Sequence, residues 1–275
     1  MGSVSIEQAL RESCQKIEPI DARILLQHVL NQNQVFLHTY PEQTLTSQQR
    51  QAFNQLVARR EKGEPVAYLI GERDFYDLTF KVTPAVLIPR PETELLVELA
   101  LTRVPVNQHC RVLDLGTGSG AIAITIAKHR PRTTVVAVDV SVDAIAVASK
   151  NAKEIGVTNL TIINGNWFDA MFGVKFDLIV SNPPYVAEED PHLKQGDLRF
   201  EPQLALAAEA DGLACLRSIS SEAPEHLNTG GWLLMEHGYD QADVCRQLLK
   251  DAGFKHTFSS PDLAGIMRVS GGEIL

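Results

Sequence analysis

The sequence predicts an α/β fold, a parallel sheet flanked by helices, with a small bundle of helices in front of it. Two patterns predict this architecture: apolar residues recur at helical spacing up to about residue 68, and strand-like and helix-like segments alternate from about residue 111 onward. The length agrees, since 275 residues exceed the ~100 to 200 residues usual for one domain. We therefore expect an α/β domain with a smaller companion.

The first 72 residues are predicted to form the small helical domain. Ile6, Ala9 and Leu10 share one helical face. Thr46 with Gln49 has the pattern of a capping box, and Asp21 is expected to cap the second helix. We expect this domain to bind the substrate as a unit.

Residues 73–88 are predicted to form a linker hairpin, because Phe75, Leu78 and Phe80 alternate with polar neighbours. Pro91 and an acidic first turn then begin a helix, so the α/β domain is predicted over residues 89–275. Within it, strands are predicted at 111–115, 134–140, 160–163, 176–180 and 232–236, and helices at 121–128, 142–155, 213–227 and 241–252. A turn at Gly230-Gly231 and closing strands after Lys255 complete the pattern. Loops that follow parallel strands share one edge of the sheet, where ligands bind.

The ends of three successive strands predict a nucleoside site. The first is a glycine turn at a helix N-terminus, made of Gly116, Thr117, Gly118, Ser119 and Gly120. Its Gly-x-Gly-x-Gly spacing differs from the Gly-x-Gly-x-x-Gly of dinucleotide binders. Asp139 ends the next strand, where its carboxylate can accept both ribose hydroxyls; the alternative role, a helix cap, can be filled by Ser141. Trp167, after the third strand, either contacts adenine or belongs to the core.

The residues that follow the apolar run 176–181 predict the chemistry. They form an amide loop, Asn182-Pro183-Pro184-Tyr185. The Asn182 carbonyl and the Pro183 backbone carbonyl can each accept one N–H of a planar amide, the two prolines stiffen the loop, and Tyr185 can pack on the amide plane. Conjugated NH2 groups of glutamine, adenine or cytosine are weak nucleophiles that such acceptors can aim without a strong base. With the nucleoside site, this loop predicts an S-adenosylmethionine-dependent N-methyltransferase whose catalytic residues are Asn182, Pro183 and Tyr185.

Composition and charge narrow the possible partners and location. The apolar stretches fall far below the ~18 residues of a membrane span, and the N-terminus has no signal-peptide pattern, so we expect a cytoplasmic protein. A formal net charge of −9 argues against binding a long nucleic-acid backbone. Cys14, Cys110, Cys215 and Cys245 lack metal-binding spacing, and we expect buried, reduced thiols and no metal.

Nearly the whole chain resembles the HemK-type peptide chain release factor glutamine methyltransferases, the PrmC family. The resemblance rests on the helical N-terminal region, the glycine turn, the amide loop and two further motifs, Ile88-Pro89-Arg90-Pro91 and Arg199-Phe200-Glu201-Pro202. It implies a Rossmann-like class I S-adenosylmethionine-dependent methyltransferase domain that modifies the glutamine of the Gly-Gly-Gln motif in class I release factors. It also implies cofactor contacts from the glycine turn, Asp139 and Trp167, with Asn182 between cofactor and substrate. The amide-loop residues Pro183, Pro184 and Tyr185 would lie on the glutamine.

The residues alone leave several alternatives open for the function and for individual segments. An adenine or cytosine amino-methyltransferase acting on DNA or RNA would use the same loop, with a flipped base in place of the glutamine. A dinucleotide-dependent oxidoreductase has no use for the amide loop, and a non-catalytic scaffold would not need the intact site. Residues 188–202 form either a loop that closes over the substrate or a plain surface loop. His237 is expected to be structural, and a monomer is the default expectation.

Overall fold

The computed structural model describes residues 4–209 and 211–275, and the chain divides into two compact units, Met1–Glu72 and Arg73–Leu275. The first unit is helical. Its helices are α1 (Ile6–Ser13), α2 (Pro19–Leu30), α3 (Gln34–Thr39), α4 (Ser47–Glu61) and α5 (Val66–Ile70). Their apolar faces meet in one core that includes Ile6, Leu25, Leu26 and Phe53.

Of the two helix caps predicted in the first unit, one is present and one is not. Thr46 and Gln49 form the predicted capping box at the start of α4. The predicted cap by Asp21 is wrong, because α2 begins at Pro19 with Glu18 at the N-cap position. Asp21 instead pairs with Arg60 of α4 at 2.7 Å, which joins the two helices.

The remaining elements alternate between strands and helices. The strands are β1 (Glu72–Phe75), β2 (Leu78–Lys81), β3 (Arg111–Leu115), β4 (Thr134–Asp139), β5 (Leu160–Asn164), β6 (Phe176–Ser181), β7 (Val186–Ala187), β8 (Ala207–Ala208), β9 (Leu227–Glu236), β10 (Lys255–Pro261) and β11 (Met267–Glu273). The α-helices are α6 (Glu94–Arg103), α7 (Ala121–His129), α8 (Val142–Ile155), α9 (Gln203–Leu206), α10 (Ala214–Glu222) and α11 (Ala242–Asp251). Short 3₁₀ helices cover Pro91–Thr93, Pro191–Lys194, Gly196–Phe200 and Ala223–His226.

Seven strands form one sheet in the order β10-β11-β9-β6-β3-β4-β5. The five strands from β9 to β5 pair in parallel, whereas β11 and β10 close one edge in antiparallel pairing. Apolar residues alternate between the two faces, so Val112 packs in one core and Leu113 in the other. Helices α6 and α7 cover the first face, and α10 and α11 cover the second. The α/β prediction is confirmed.

A few segments differ from their predicted form. β9 begins at Leu227, so the Gly230-Gly231 turn lies inside this strand, where its pairing with β6 is irregular. Phe75 and Phe80 of the hairpin are buried in the core of the α/β unit.

The four thiols are free, but only Cys245 is buried and Cys14 is exposed, so the expected burial is wrong for three of them. Within residues 4–209 and 211–275, no helix is long and apolar enough to cross a bilayer.

Asn151 in α8 is a buried polar residue that the periodicity did not single out. Its side-chain amide accepts a hydrogen bond from Lys81 N at 2.8 Å and donates to the carbonyls of Lys81 and Ser119 at 3.0 and 2.8 Å. One side chain therefore joins the hairpin, α8 and the glycine turn.

We expect Asn151→Ala to lower the free energy of unfolding by about 2 to 4 kcal/mol, because several backbone groups would lose their partner at about 1 to 3 kcal/mol each. Urea denaturation measures this change. Lys150→Ala, on the exposed side of the same helix, is the control and should stay within about 0.5 kcal/mol of wild type. Equal stability of the two variants would contradict this role of Asn151.

Candidate active site

The glycine turn joins β3 to α7 in a conformation that requires glycine. Gly116, Gly118 and Gly120 have φ angles of +73°, +55° and +83°, a region that side chains rarely adopt. At Gly120 a Cβ atom would also lie 2.6 Å from the side chain of Ile124. The N–H groups of Gly116 and Thr117 donate to the carbonyl of Val138 on β4, which ties the turn to the neighbouring strand.

Two carboxylates support the turn. Asp114, at the end of β3, is fully buried and accepts a hydrogen bond from the Thr117 hydroxyl at 2.6 Å. Burial raises the pKa of Asp114 to about 7, while the bond from Thr117 opposes the rise. Asp139, at the end of β4, accepts from Gly118 N at 2.8 Å and from Ser141 N at 2.9 Å. Ser141 caps α8, as predicted, so Asp139 is not needed for that role.

Trp167 lies in the loop after β5 and has a φ angle of +43°. Its indole ring passes over Gly116, with ring carbon Cζ3 3.5 Å from the position where a Cβ would stand. The ring is half-buried, packs against the second core and also lines the cavity described below. The ring therefore belongs partly to the core, and its contact with adenine stays a prediction.

The amide loop begins where β6 ends and is held from several sides. The Asn182 side-chain amide donates to the Thr93 hydroxyl at 3.1 Å, and the Tyr185 hydroxyl donates to the Glu236 carboxylate at 3.3 Å. The Tyr185 carbonyl accepts from Gln241 at 3.0 Å. The loop then continues into β7, which pairs in parallel with β8. These contacts hold the loop on several sides.

Glu201 joins its own Arg199–Pro202 motif to the Ile88–Pro91 motif. Its carboxylate is almost fully buried, accepts from the backbone N–H of Ile88 at 3.1 Å and forms an ion pair with Arg90. The 188–202 loop is therefore anchored at its end by Glu201, and Leu193 in its first 3₁₀ helix is buried. Its closure over a substrate stays a prediction.

One cavity of about 500 Å³ lies at the carboxyl edge of the parallel strands. The predicted site residues that line it are Gly116, Thr117, Gly118, Ser119, Asp139, Trp167, Asn182 and Pro184. Gly120, Pro183 and Tyr185 do not line it: Gly120 is the N-cap of α7, Pro183 is buried, and Tyr185 points its hydroxyl to Glu236. Residues of the cavity wall that the sequence analysis left out include Arg90, Thr93, Leu204 and Cys215. Arg90 belongs to the Ile-Pro-Arg-Pro motif, which could have identified it as a site residue. No pattern in the sequence identifies Leu204 or Cys215 as part of the cavity wall.

The arrangement suits orientation of a ligand more than acid-base catalysis. Asn182 presents an amide to the cavity, and its NH2 group is already occupied by Thr93. His237 is buried, with Nδ1 at 2.8 Å from the Gly238 carbonyl and Nε2 at 2.8 Å from the Ser270 hydroxyl. Burial lowers its pKa, and both ring nitrogens are engaged, as expected of a structural residue. No cluster of His, Cys, Asp or Glu suited to a metal ion occurs in the described parts of the chain.

Family profiles match both units of the chain. The profile described as PrmC N-terminal domain matches residues 5–71, and the one described as Methyltransferase small domain matches residues 91–197. Among solved structures, a 16S rRNA methyltransferase of T. Thermophilus in complex with AdoMet and guanosine has a TM-score of 0.56 at 20% identity. That match covers 74% of this chain and 50% of the other, and it concerns the fold. The fold is that of the class I S-adenosylmethionine-dependent methyltransferases.

Curated relatives match almost the full length. A release factor glutamine methyltransferase of Vibrio cholerae is 44% identical over 98% of this chain and 97% of its own. One of Bordetella pertussis is 49% identical over 93% of this chain and 94% of its own. The chain therefore belongs to the release factor glutamine methyltransferase family.

Proposed function

We propose that this protein transfers a methyl group from S-adenosylmethionine to the side-chain amide nitrogen of the glutamine in the Gly-Gly-Gln motif of class I peptide chain release factors. The observation that carries the proposal is the shared wall of one cavity, where the glycine turn and the Asn182 amide face the same space. Full-length similarity to curated release factor glutamine methyltransferases supports the choice of glutamine over a nucleic-acid base.

The residues of the cavity fit the cofactor. Its volume of about 500 Å³ lies within the ~300 to 1,000 Å³ of small-molecule sites. Each Asp139 oxygen accepts one backbone N–H and keeps a lone pair, so the carboxylate can still accept the two ribose hydroxyls. Trp167 would contact the adenine, and the glycine turn would hold the methionine part. When bound, the sulfonium supplies an electrophilic methyl group and a good leaving group.

The amide loop would aim the attacking nitrogen. Asn182 Oδ1 and the Pro183 carbonyl would each accept one hydrogen of the glutamine NH2, and the Tyr185 ring would flank the amide plane, with Pro184 completing the contact. Held in this way, the nitrogen lone pair would face the methyl group that the bound cofactor supplies. The same acceptors stabilise the positive charge that develops on nitrogen. Because orientation lowers the barrier, no general base is needed for the displacement itself.

The helical unit, residues 1–72, would bind the folded release factor, and the α/β unit would supply the chemistry. Translation termination places the enzyme in the cytoplasm, and we take it to act as a monomer with no direct nucleic-acid contact. The net charge of −9 supports a protein partner over an extended phosphate backbone.

The test is transfer of labelled methyl from S-adenosylmethionine to a purified release factor. The same factor with its Gly-Gly-Gln glutamine replaced, and samples of DNA and RNA, serve as comparisons. We expect label on the intact factor alone. Label on DNA or RNA with none on the factor would overturn the substrate and favour an adenine or cytosine amino-methyltransferase.

Asn182→Ala should lower kcat by roughly 10²-fold, the effect of losing one preorganised polar group at the reacting atom. Steady-state kinetics with the release factor measure it, and calorimetry checks that the affinity for S-adenosylmethionine persists. Asn107→Ala, at an exposed position, is the matched control and should keep wild-type kcat. Turnover of Asn182→Ala close to wild type would show that this amide does not aim the nitrogen.

Asp139→Ala should weaken S-adenosylmethionine binding by at least about tenfold, since hydrogen bonds to a charged acceptor contribute about 1.5 to 3 kcal/mol and 1.4 kcal/mol is tenfold in affinity. Calorimetric titration gives the dissociation constant. Asp143→Ala, exposed in the first turn of α8, should leave it unchanged. Equal affinities of the two variants would exclude Asp139 as a ribose ligand.

A further inference from the structure

The hairpin formed by β10 and β11 stands at the same edge of the sheet as the amide loop. Val269 of β11 lies opposite Glu236 of β9, and Met235 of β9 lies opposite Ser181, the last residue of β6. Because β11 runs antiparallel to β9, the residues that precede Val269 extend beyond the carboxyl edge of the parallel strands. The turn of this hairpin, residues 262–266, therefore projects past the level at which the amide loop begins.

The register also gives the distance between this turn and the amide loop. At a rise of about 3.4 Å per residue, Met267 lies about 7 Å beyond Val269 along β11. β11 is two strands away from β6, which is about 10 Å across the sheet at about 4.8 Å per strand. Residues 262–266 therefore lie within roughly 20 Å of Asn182. A folded domain of about 100 residues has a radius of gyration of about 13 Å, so a protein whose glutamine reaches Asn182 is wide enough to contact the turn as well.

The hairpin carries apolar side chains at this edge that it does not bury. Leu263 is fully exposed, and Ile266 and Met267 are each 38% exposed. Tyr239, in the loop after β9, is 72% exposed, and the first backbone N–H of that loop pairs with β11, which places the loop beside the hairpin. These four residues, Tyr239, Leu263, Ile266 and Met267, are called the hairpin patch below.

Asp262 holds the turn in one conformation. Its carboxylate accepts from the backbone N–H groups of Ala264 at 2.9 Å and Ile266 at 3.0 Å, and from the Arg268 side chain at 3.0 Å. Its own N–H donates to the Ile266 carbonyl at 2.8 Å. Aspartate and glycine make such turns, and an apolar side chain such as Leu263 contributes nothing to them. A preformed apolar surface also loses little conformational entropy when a partner covers it.

We propose that the hairpin patch is a docking surface for the release factor, which it contacts outside the Gly-Gly-Gln segment. This inference rests on the proposed function, which brings a glutamine of a folded protein to the cavity at the same edge. Clustered exposed apolar side chains are typical of a protein–protein contact. The one cation beside the patch, Arg268, is already paired with Asp262, so the patch offers no free charge to a phosphate backbone.

The size of the patch favours the release factor over a second copy of this chain. A stable protein–protein interface takes about 20 to 30 residues from each side, and the patch supplies four. It suits an additional contact within an interface that is anchored elsewhere. The glutamine held in the cavity would be that anchor for the release factor, whereas a second copy would have no such anchor at this edge.

The test measures the dissociation constant of the purified release factor by calorimetry, with S-adenosylhomocysteine bound to the enzyme. Leu263→Asp should weaken binding at least about tenfold, because full burial of one leucine side chain contributes about that factor or more. Leu263→Met keeps an apolar side chain and should keep wild-type affinity. In both variants, kcat at saturating release factor and the affinity for S-adenosylmethionine should stay at wild-type values, because the patch lies away from the cavity.

Val106→Asp is the matched control. Val106 is 56% exposed in the loop before β3, at the opposite edge of the sheet, so the same added charge should leave release-factor binding unchanged. Equal melting temperatures of the variants and the wild type would show that the fold is intact. A photoreactive benzophenone amino acid in place of Leu263 should crosslink to the release factor at a residue outside Gly-Gly-Gln, and one in place of Val106 should not.

The possible failures have different meanings. Unchanged affinity in Leu263→Asp together with no crosslink from position 263 would overturn the docking surface and leave the proposed function intact. A crosslink to a second copy of the enzyme, with dimers in sedimentation that Leu263→Asp abolishes, would also overturn it and assign the patch to self-association. A wild-type protein that binds S-adenosylmethionine and methylates no release factor would overturn the proposed function itself.

Discussion

Parallel pairing of β3 with β4 and β6 is the constraint on which the site depends. In this register Leu115 stands opposite Val138 on one side and Ser181 on the other. The strands therefore end at one level, and the loops that follow them open onto the same cavity. The sheet register brings the glycine turn and the amide loop to one cavity, and the apolar cores on both faces hold that register. The proposed methyl transfer needs both loops, one for the cofactor and one for the nitrogen.

Around this sheet, buried polar side chains hold the loops in place, and their burial costs some folding stability. Asp114 and Glu236 are carboxylates whose pKa burial raises to about 7, so each is close to losing its charge at neutral pH. Asn151 and Glu201 satisfy backbone groups far from them in sequence, at the hairpin and at Ile88. Such contacts hold the loops in one conformation. In the proposed displacement, an acceptor has to be in place beside the attacking nitrogen before the reaction begins.

The sequence predicted the elements whose signal is local. Periodicity located β3 and α8 to the residue, and glycine spacing with the Asn-Pro-Pro-Tyr loop identified the chemistry. It missed features that depend on partners distant in the chain. Thr93 and Glu236 form hydrogen bonds with Asn182 and Tyr185, about 90 and 50 positions away, and their own neighbourhoods contain no pattern that predicts these contacts. Asp21 is not the cap because α2 begins two residues earlier, at Pro19, and its carboxylate pairs with Arg60, 39 positions on. Local propensity also could not show that Tyr185 turns its hydroxyl inward.

The most direct test of the account is a crystal structure of the protein with S-adenosylhomocysteine and a release factor carrying the Gly-Gly-Gln motif. We expect the nucleoside between Asp139 and Trp167 and the glutamine nitrogen about 2.9 Å from Asn182 Oδ1, with the Asn182 NH2 group still on Thr93. A glutamine bound elsewhere, or an Asn182 amide that turns its NH2 group to the substrate, would contradict it.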